Sequence, residues 1–387
     1  MIQRILATKV LQQAAKMPVL TVTGPRQSGK STLVKQAFPD YTYVNLEKPE
    51  VRKFARQDPN GFLSQYGSRV IIDEVQYVPD LPSYIQVLVD EDDQAGRFIL
   101  TGSQNLLLMQ QVSQSLAGRT AMFTLLPFSV QELKDSPYKS EQFEDYVVKG
   151  FYPRIYDKNL NPTEWLMDYV LNYVERDVRQ LINLPDADTF SQFVSICAGR
   201  IGQTVNFSEV GALIGVSYQT VKRWLSILKT SYLVYTLRPY HKNYNKRIVK
   251  APKLYFYDTG LACALLNIKT PEEYHLHFAK GALFENFIIN EVQKRYYNLG
   301  KRPNLYFWRT QSGHEVDLII DEGTEIYPVE IKAGRTIHTQ FFKGLNFFSR
   351  QGANSLNKTF LIYGGDDFQH RTYATVLGWK YLNQIFD

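Results

Sequence analysis

A chain of 387 residues is long enough for two or three domains, each able to bury its own core. With 44% hydrophobic and 21% charged residues, and no run near the roughly 18 apolar residues of a membrane span, it excludes a membrane-spanning class and reads as an ordinary soluble, cytoplasmic protein. A net charge of +6 favours an anionic partner only mildly, and two distant cysteines, Cys197 and Cys263, argue against a disulfide or zinc framework and for a reducing interior.

In chain order, residues Met1 to Val10 are amphipathic and lack both the continuous apolar core and the small-residue cleavage site of a secretory signal. The apolar run Val19 to Val22 predicts a strand, and Thr32 to Phe38 a helix. Between them Gly24-Pro25-Arg26-Gln27-Ser28-Gly29-Lys30-Ser31 has the spacing G-x-x-x-x-G-K-[ST], a P-loop. Its glycines let the backbone aim N–H groups at a phosphate, Lys30 reaches the β- and γ-phosphates, and the Ser31 hydroxyl suits Mg²⁺. With Thr32 these residues form the expected ATP-binding set. Further strands are predicted at Tyr41 to Asn45, Val70 to Asp73, Arg97 to Thr101 and Ala121 to Leu125, giving a mainly parallel, doubly covered sheet. Asp73-Glu74 closes one of them in the form of a Walker B strand, with Asp73 serving Mg²⁺ and Glu74 the attacking water. The acidic run Asp90 to Asp93 is expected to be a solvated helix end. Ser103, Gln104 or Asn105 falls where a polar group would sense the γ-phosphate. Arg119 is either an arginine finger acting on a neighbouring subunit or a surface arginine in a glycine turn.

These segments, together with Asp73-Glu74-Val75-Gln76, Thr101-Gly102-Ser103, Gly118-Arg119 and Pro127-Phe128-Ser129, resemble prokaryotic AAA+-type ATPases that carry a C-terminal domain of unknown function, DUF4143. The resemblance covers nearly the whole chain. It implies an AAA+ core in which Lys30 and Ser31 are P-loop residues, Asp73 and Glu74 the Walker B pair, Ser103 and Gln104 the sensor and Arg119 the finger. Relatives are expected to carry paired glycines where Lys149-Gly150-Phe151 stands, which puts a tight turn there in question. Arg176-Asp177 matches the family pattern and is expected to be a structural ion pair.

Residues 136–200 have a helical pattern. From Asn206 the spacing changes to helix-turn-helix, with Phe207 to Gly215, a turn at Val216 and Ser217, and a second helix from Tyr218 to Leu228. Val221, Trp224, Leu225 and Leu228 are expected to face the core, and Gln219, Lys222 and Arg223 to face out. Such a winged helix contacts DNA or docks a protein. Lys242, Lys246, Arg247, Lys250 and Lys253 are expected to extend a basic surface that favours DNA, and Tyr240, Tyr244 and Tyr255 either stack bases or fill the core.

The C-terminal third opens with a helix from Gly281 to Val292, and two strands follow at Glu315 to Ile320 and Ile326 to Lys332. Period-two alternation lets Asp317, Glu330 and Lys332 converge. Two carboxylates and a lysine suit metal-assisted phosphodiester hydrolysis, with Asp317 and Glu330 holding Mg²⁺ and Lys332 steering water; a solvent-facing ion-pair ladder is the alternative. The array resembles the PD-(D/E)XK nuclease core, which implies that Glu285 is that core's helix acid. Pro328 is expected to mark an edge or bulge, and His275 and His277 to be surface residues.

The expected fold class is α/β: a P-loop AAA+ parallel sheet (1–135), a helical lid (136–200), a winged helix (201–255) and a PD-(D/E)XK-like domain (256–387). The expected function is Mg²⁺-ATP hydrolysis at the interface of a homo-oligomer such as a hexamer, coupled to binding and remodelling or processing duplex or branched DNA. The alternatives are an ATP-gated DNA nuclease and a non-catalytic scaffold.

Overall fold

A computed structural model describes residues 2–103, 115–174, 187–241, 251–350 and 358–386. Expectations for Gln104, Asn105, Arg176, Asp177, Lys242, Tyr244, Lys246, Arg247 and Lys250 lie outside the described residues. No helix among the described residues is long and apolar enough to cross a membrane.

The first half runs α1 (Leu6–Ala14), β1 (Val19–Thr23), α2 (Lys30–Ala37), β2 (Thr42–Asn45), α3 (Pro49–Gln57), α4 (Pro59–Tyr66), β3 (Val70–Asp73), α5 (Leu81–Glu91), β4 (Phe98–Gly102) and β5 (Thr120–Thr124). The strands form one parallel sheet in the order β2-β3-β4-β1-β5. Their near-continuous apolar sequences follow from burial on both faces. Ile72, Phe98 and Leu100 pack with Phe62 and Ile85 on one side, while Leu20, Val22, Ile71 and Ile99 pack with Leu6, Leu33 and Val34 on the other. This arrangement brings the ends of β1, β3 and β4 to one edge, where ligands of such sheets sit. The acidic end of α5 is exposed, and there Asp90 pairs with Arg119 and Asp92 lies 3.5 Å from Arg97.

The second half runs α6 (Val130–Leu133), α7 (Phe143–Lys149), α8 (Pro153–Asp157), α9 (Pro162–Tyr169), α10 (Ala187–Gly199), α11 (Phe207–Ile214), α12 (Tyr218–Thr230), β6 (Val234–Pro239) and β7 (Lys253–Phe256). It continues through α13 (Thr259–Leu265), α14 (Pro271–Leu276), α15 (Lys280–Asn298), β8 (Leu305–Arg309), β9 (Glu315–Asp321), β10 (Ile326–Lys332), α16 (Lys343–Arg350), β11 (Phe360–Tyr363), β12 (Phe368–Arg371) and β13 (Ala374–Gly378). Strands β6 to β13 make one mixed sheet in the order β12-β13-β11-β10-β9-β8-β6-β7. The boundary expected at 255/256 is therefore not a structural one. β6 pairs in parallel with β8 through Arg238↔Tyr306 and Pro239↔Phe307, so its hydrogen bonds tie the middle segment into the C-terminal sheet. Apolar residues from Phe128 to Ile385 share one core around α15, whose Phe284, Phe287, Ile288, Ile289 and Val292 are all buried. A helix apolar on this many sides belongs inside a protein. Its polar Asn286 is satisfied by both backbone groups of Phe256, each at 2.8 Å.

Pro328 lies in β10, an interior strand with β9 and β11 on its two sides, and not at the expected edge or bulge. The parallel ladder to β11 begins only at Val329, so the missing N–H of Pro328 falls before that ladder. The tight turn at Gly150 does form, with one glycine sufficing. Its φ is +72° and a Cβ there would collide with the Asp258 carboxylate, which accepts Phe151 N–H at 2.7 Å. Cys197 and Cys263 are buried free thiols.

Candidate functional site: a phosphate loop and an acid–lysine cluster

The phosphate loop begins where β1 ends. Gly24 has φ +146° and a Cβ there would strike the Leu125 carbonyl, while Gly29 takes the left-handed conformation (φ +94°) from which α2 starts. Lys30 is buried, and its ammonium donates to the carbonyls of Gly24 (3.1 Å) and Pro25 (2.8 Å). Burial lowers its pKa to about 8, against the opposing pull of Glu74 and Asp73. The Ser28 hydroxyl is buried with no partner among the described residues.

Asp73 ends β3, buried, and accepts the hydroxyls of Thr101 and Tyr43. Tyr43 also hydrogen-bonds Ser31, so the three side chains meet at one point. Glu74 follows in the left-handed region (φ 58°, ψ 44°), with its carboxylate held by Ser103 Oγ at 3.0 Å and by the Gln76 amide. Ser103 thus touches the carboxylate expected to handle water. No sequence motif contains Tyr43; its signal is a hydroxyl on the strand paired with β3, in the register Tyr43↔Ile71. A cavity of about 1380 Å³ opens over Lys30, Ser31 and Glu74, and its lining includes Arg154 and Arg295. The glycine cradle, the buried ammonium and the unpartnered Ser28 hydroxyl fit a nucleotide's phosphates, and Ser31 with Asp73 is a donor set that fits Mg²⁺ with several waters.

Arg119 is elsewhere. It precedes β5, whose Thr120 lies opposite Val19, so it stands at the strand-start end of the sheet, away from the phosphate loop. There its guanidinium grips both carboxylate oxygens of exposed Asp90, Nη2 lying 3.0 Å from Oδ2.

The second cluster lies on β7, β9, β10 and α15. Lys332 Nζ stands 3.0 Å from Asp317 Oδ2 and 2.6 Å from Glu330 Oε1, so these three residues converge as alternation predicts. Asp317 also accepts Ile331 N–H at 2.8 Å. Glu330 Oε2 is buried without a hydrogen-bond partner among the described residues. Burial, followed by the negative charge of Asp317, pushes the Glu330 pKa well above the usual carboxylate range. Glu285 reaches the cluster from α15 but is engaged separately, by the Tyr255 hydroxyl and by Lys253 Nζ at 3.1 Å. Its pKa is also raised, chiefly by burial. Among the described residues no three metal-ligating side chains stand ready around one point. The orphaned Glu330 oxygen beside Asp317 nevertheless fits a divalent cation held by two carboxylates and water.

One expectation changes here, and one open alternative resolves to the core. Lys253 is not part of a basic surface: it is 4% exposed and bridges Glu285 and Glu315. Tyr255 is fully buried and its hydroxyl serves Glu285, so it stacks no base. In both cases β7 is covered by α15, whose acid draws the polar ends inward. His275 is half exposed and lies 3.3 Å from Glu144.

The helix pair takes the expected form. Asn206 caps α11, Gly215 (φ +70°) ends it, and Ser217 caps α12 by accepting Thr220 N–H at 3.1 Å. Val221, Trp224, Leu225 and Leu228 are buried, while Gln219, Lys222 and Arg223 are exposed. β6 and β7 form an antiparallel hairpin behind the pair, extended by a bridge from Thr204 to Lys253.

Comparison with known proteins matches three separate stretches of the chain. Residues 16–134 match the family model of an AAA domain, residues 140–272 that of a domain of unknown function (DUF8612), and residues 280–382 that of another (DUF4143). An uncharacterized protein of Mycobacterium tuberculosis is 31% identical over 338 residues, spanning 86% of this chain and 74% of its own. An uncharacterized protein of Methanocaldococcus jannaschii is 22% identical over 344 residues, spanning 80% and 74%. Among solved structures, a Walker-type ATPase of Pyrococcus abyssi aligns with a TM-score of 0.44 at 14% identity, covering 67% of this chain and 94% of its own. The RuvB Holliday junction branch migration motor of Thermotoga maritima aligns with a TM-score of 0.31 at 15% identity, covering 60% and 89%.

Proposed function

The chain belongs to the family that joins an AAA domain to the C-terminal domain DUF4143, and from that premise we propose a Mg²⁺-dependent ATPase that binds and remodels or processes DNA. The observation that carries the reading is the meeting of Lys30, Ser31, Asp73 and Glu74 at one sheet edge under an open cavity. Lys30 would exchange its two loop carbonyls for the β- and γ-phosphate oxygens of ATP. Ser31 and Asp73 would hold Mg²⁺, whose contribution is to neutralise phosphate charge. Glu74, oriented by Ser103 and Gln76, would accept a hydrogen bond from the attacking water and align it with the γ-phosphorus. Arg119 enters this reading only as a group offered to a neighbouring subunit of a homo-oligomer, for which a hexamer is one assembly.

The capped helix pair with its hairpin supports a winged helix, and the exposed Gln219, Lys222 and Arg223 support contact with DNA phosphates. Asp317, Glu330 and Lys332 support a PD-(D/E)XK-like centre. The free, buried Glu330 oxygen favours a second reading, an ATP-gated nuclease, in which Asp317 and Glu330 would hold the divalent ion and Lys332 would steer the attacking water. The ATPase reading is tested by turnover and binding together. Lys30→Ala should lose nucleotide affinity, whereas Glu74→Gln should bind ATP and hydrolyse it roughly 10²-fold or more slowly. Wild-type turnover by Glu74→Gln would remove the assignment of Glu74.

A further inference from the structure

Arg4 precedes α1 and belongs to none of the motifs above, yet its guanidinium is buried and divided among three partners. Nη1 donates to the Ser28 carbonyl and Nη2 to the Leu126 carbonyl, both at 2.6 Å, while Nε lies 3.0 Å from Glu132 Oε1. The guanidinium also lies over the Phe128 ring at 5.0 Å. Glu132 is itself fixed: Oε1 also accepts Ile5 N–H and Oε2 accepts Ser129 N–H, each at 3.0 Å. The anchor is therefore rigid on the side away from the phosphate loop.

The Ser28 carbonyl belongs to the same planar peptide as the Gly29 N–H. In a trans peptide the two point in opposite directions. A guanidinium that holds the carbonyl on one side of the loop necessarily turns the Gly29 N–H to the other side, where Lys30 and Ser31 begin α2. Gly29 cannot set this orientation alone, because glycine's backbone moves freely between left- and right-handed regions. We propose that Arg4 is a positioning residue of the phosphate site, holding the Ser28–Gly29 peptide so that its N–H faces the phosphates of a nucleoside triphosphate. The assignment rests on the nucleotide reading above. It also extends the site to α15, because α6, which carries Glu132, has its Val130 N–H accepted by Glu291 at 2.7 Å.

The test uses the full chain with Arg4→Lys and, should that variant fold poorly, Glu132→Gln. A lysine keeps positive charge beside Glu132, but its single nitrogen cannot serve two carbonyls and a carboxylate from three directions. The dissociation constant of a fluorescent ATP analogue should rise roughly tenfold or more for Arg4→Lys, and in the same direction but less for Glu132→Gln. KM for ATP should rise with it while kcat at saturation stays near wild type, since the loop grips the phosphates before and during the reaction alike. Without nucleotide, amide exchange should quicken at residues 24–31 and not in α12. A lower melting temperature with unchanged nucleotide affinity and unchanged loop exchange would make Arg4 a brace only and overturn the proposal. If wild type binds ATP no better than Lys30→Ala, the nucleotide reading itself fails, and loop exchange still reports whether Arg4 holds the peptide.

Discussion

The charge of Lys30 is expensive to keep buried, and the site compensates it only in part. Two loop carbonyls and the nearby Asp73 and Glu74 leave its pKa at about 8, below the ordinary 10.5. Folded protein sheds this proton near pH 8 while the unfolded chain keeps it to 10.5, so the cost to stability is present below pH 8 and is relieved as pH rises between the two values. Bound phosphates reverse the preference by favouring the charged ammonium. Nucleotide binding at about pH 8.5 should therefore take up a fraction of a proton, measured by calorimetry in two buffers of different protonation enthalpy. Affinity should weaken as pH climbs above 8. Lys30→Arg, whose guanidinium does not titrate in this range, should bind without proton uptake. Equal uptake by both proteins would assign the proton to another group.

Among the elements, α12 and the β9–β10 pair make separable claims about DNA. Lys222 and Arg223 lie on the exposed face of α12, opposite buried Trp224 and Leu225, so neutralising them should leave the helix folded. Duplex affinity should then fall similarly for all sequences, and the slope of log K against log salt should shrink by roughly 0.9 per lost phosphate contact. Asp317→Ala should leave that binding in place and abolish any Mg²⁺- or Mn²⁺-dependent cutting. Unchanged affinity and slope in the α12 variant would make the pair a protein-docking element, and a wild type that never cuts would leave the C-terminal cluster a binding remnant. These elements were legible because their signals are local: G-x-x-x-x-G-K-[ST] fixes a loop between strand and helix, Ser217 marks a cap, and alternation aligns Asp317 with Glu330 and Lys332. Arg4, Tyr43, Lys253 and Tyr255 gave no such signal. Each acquires its role from a partner 24 or more residues away, which only packing supplies. Lys253 shows the cost of reading charge as surface: a basic residue after a basic run became the internal counter-ion of Glu285 and Glu315.

At the scale of the molecule, the two sheets are joined through α15. Its first turns carry Glu285 to the acid–lysine cluster, and its later turns carry Glu291 to α6 and Arg295 to the cavity wall. The cavity over Lys30 and Ser31 is thus lined by both halves of one chain, while Arg119 lies outside it. Five strand positions separate Arg119 from the loop end of β5, roughly 16 Å of extended chain, so it cannot reach a phosphate in its own subunit. Its present partner Asp90 is exposed, and an exposed ion pair is readily exchanged for a stronger anion. If Arg119 serves a neighbour, specific ATPase activity should increase with protein concentration as subunits associate. Arg119→Ala should retain ATP binding and lose roughly 10³-fold or more in turnover, the scale of an arginine finger. Mixing it with Glu74→Gln subunits should restore some activity, because some interfaces then combine an intact Glu74 with an intact Arg119. Asp90→Ala should not impair turnover, since it removes only the resting partner. Activity that is independent of concentration, together with wild-type turnover by Arg119→Ala, would place the whole of the chemistry within one subunit and return Arg119 to its pair with Asp90.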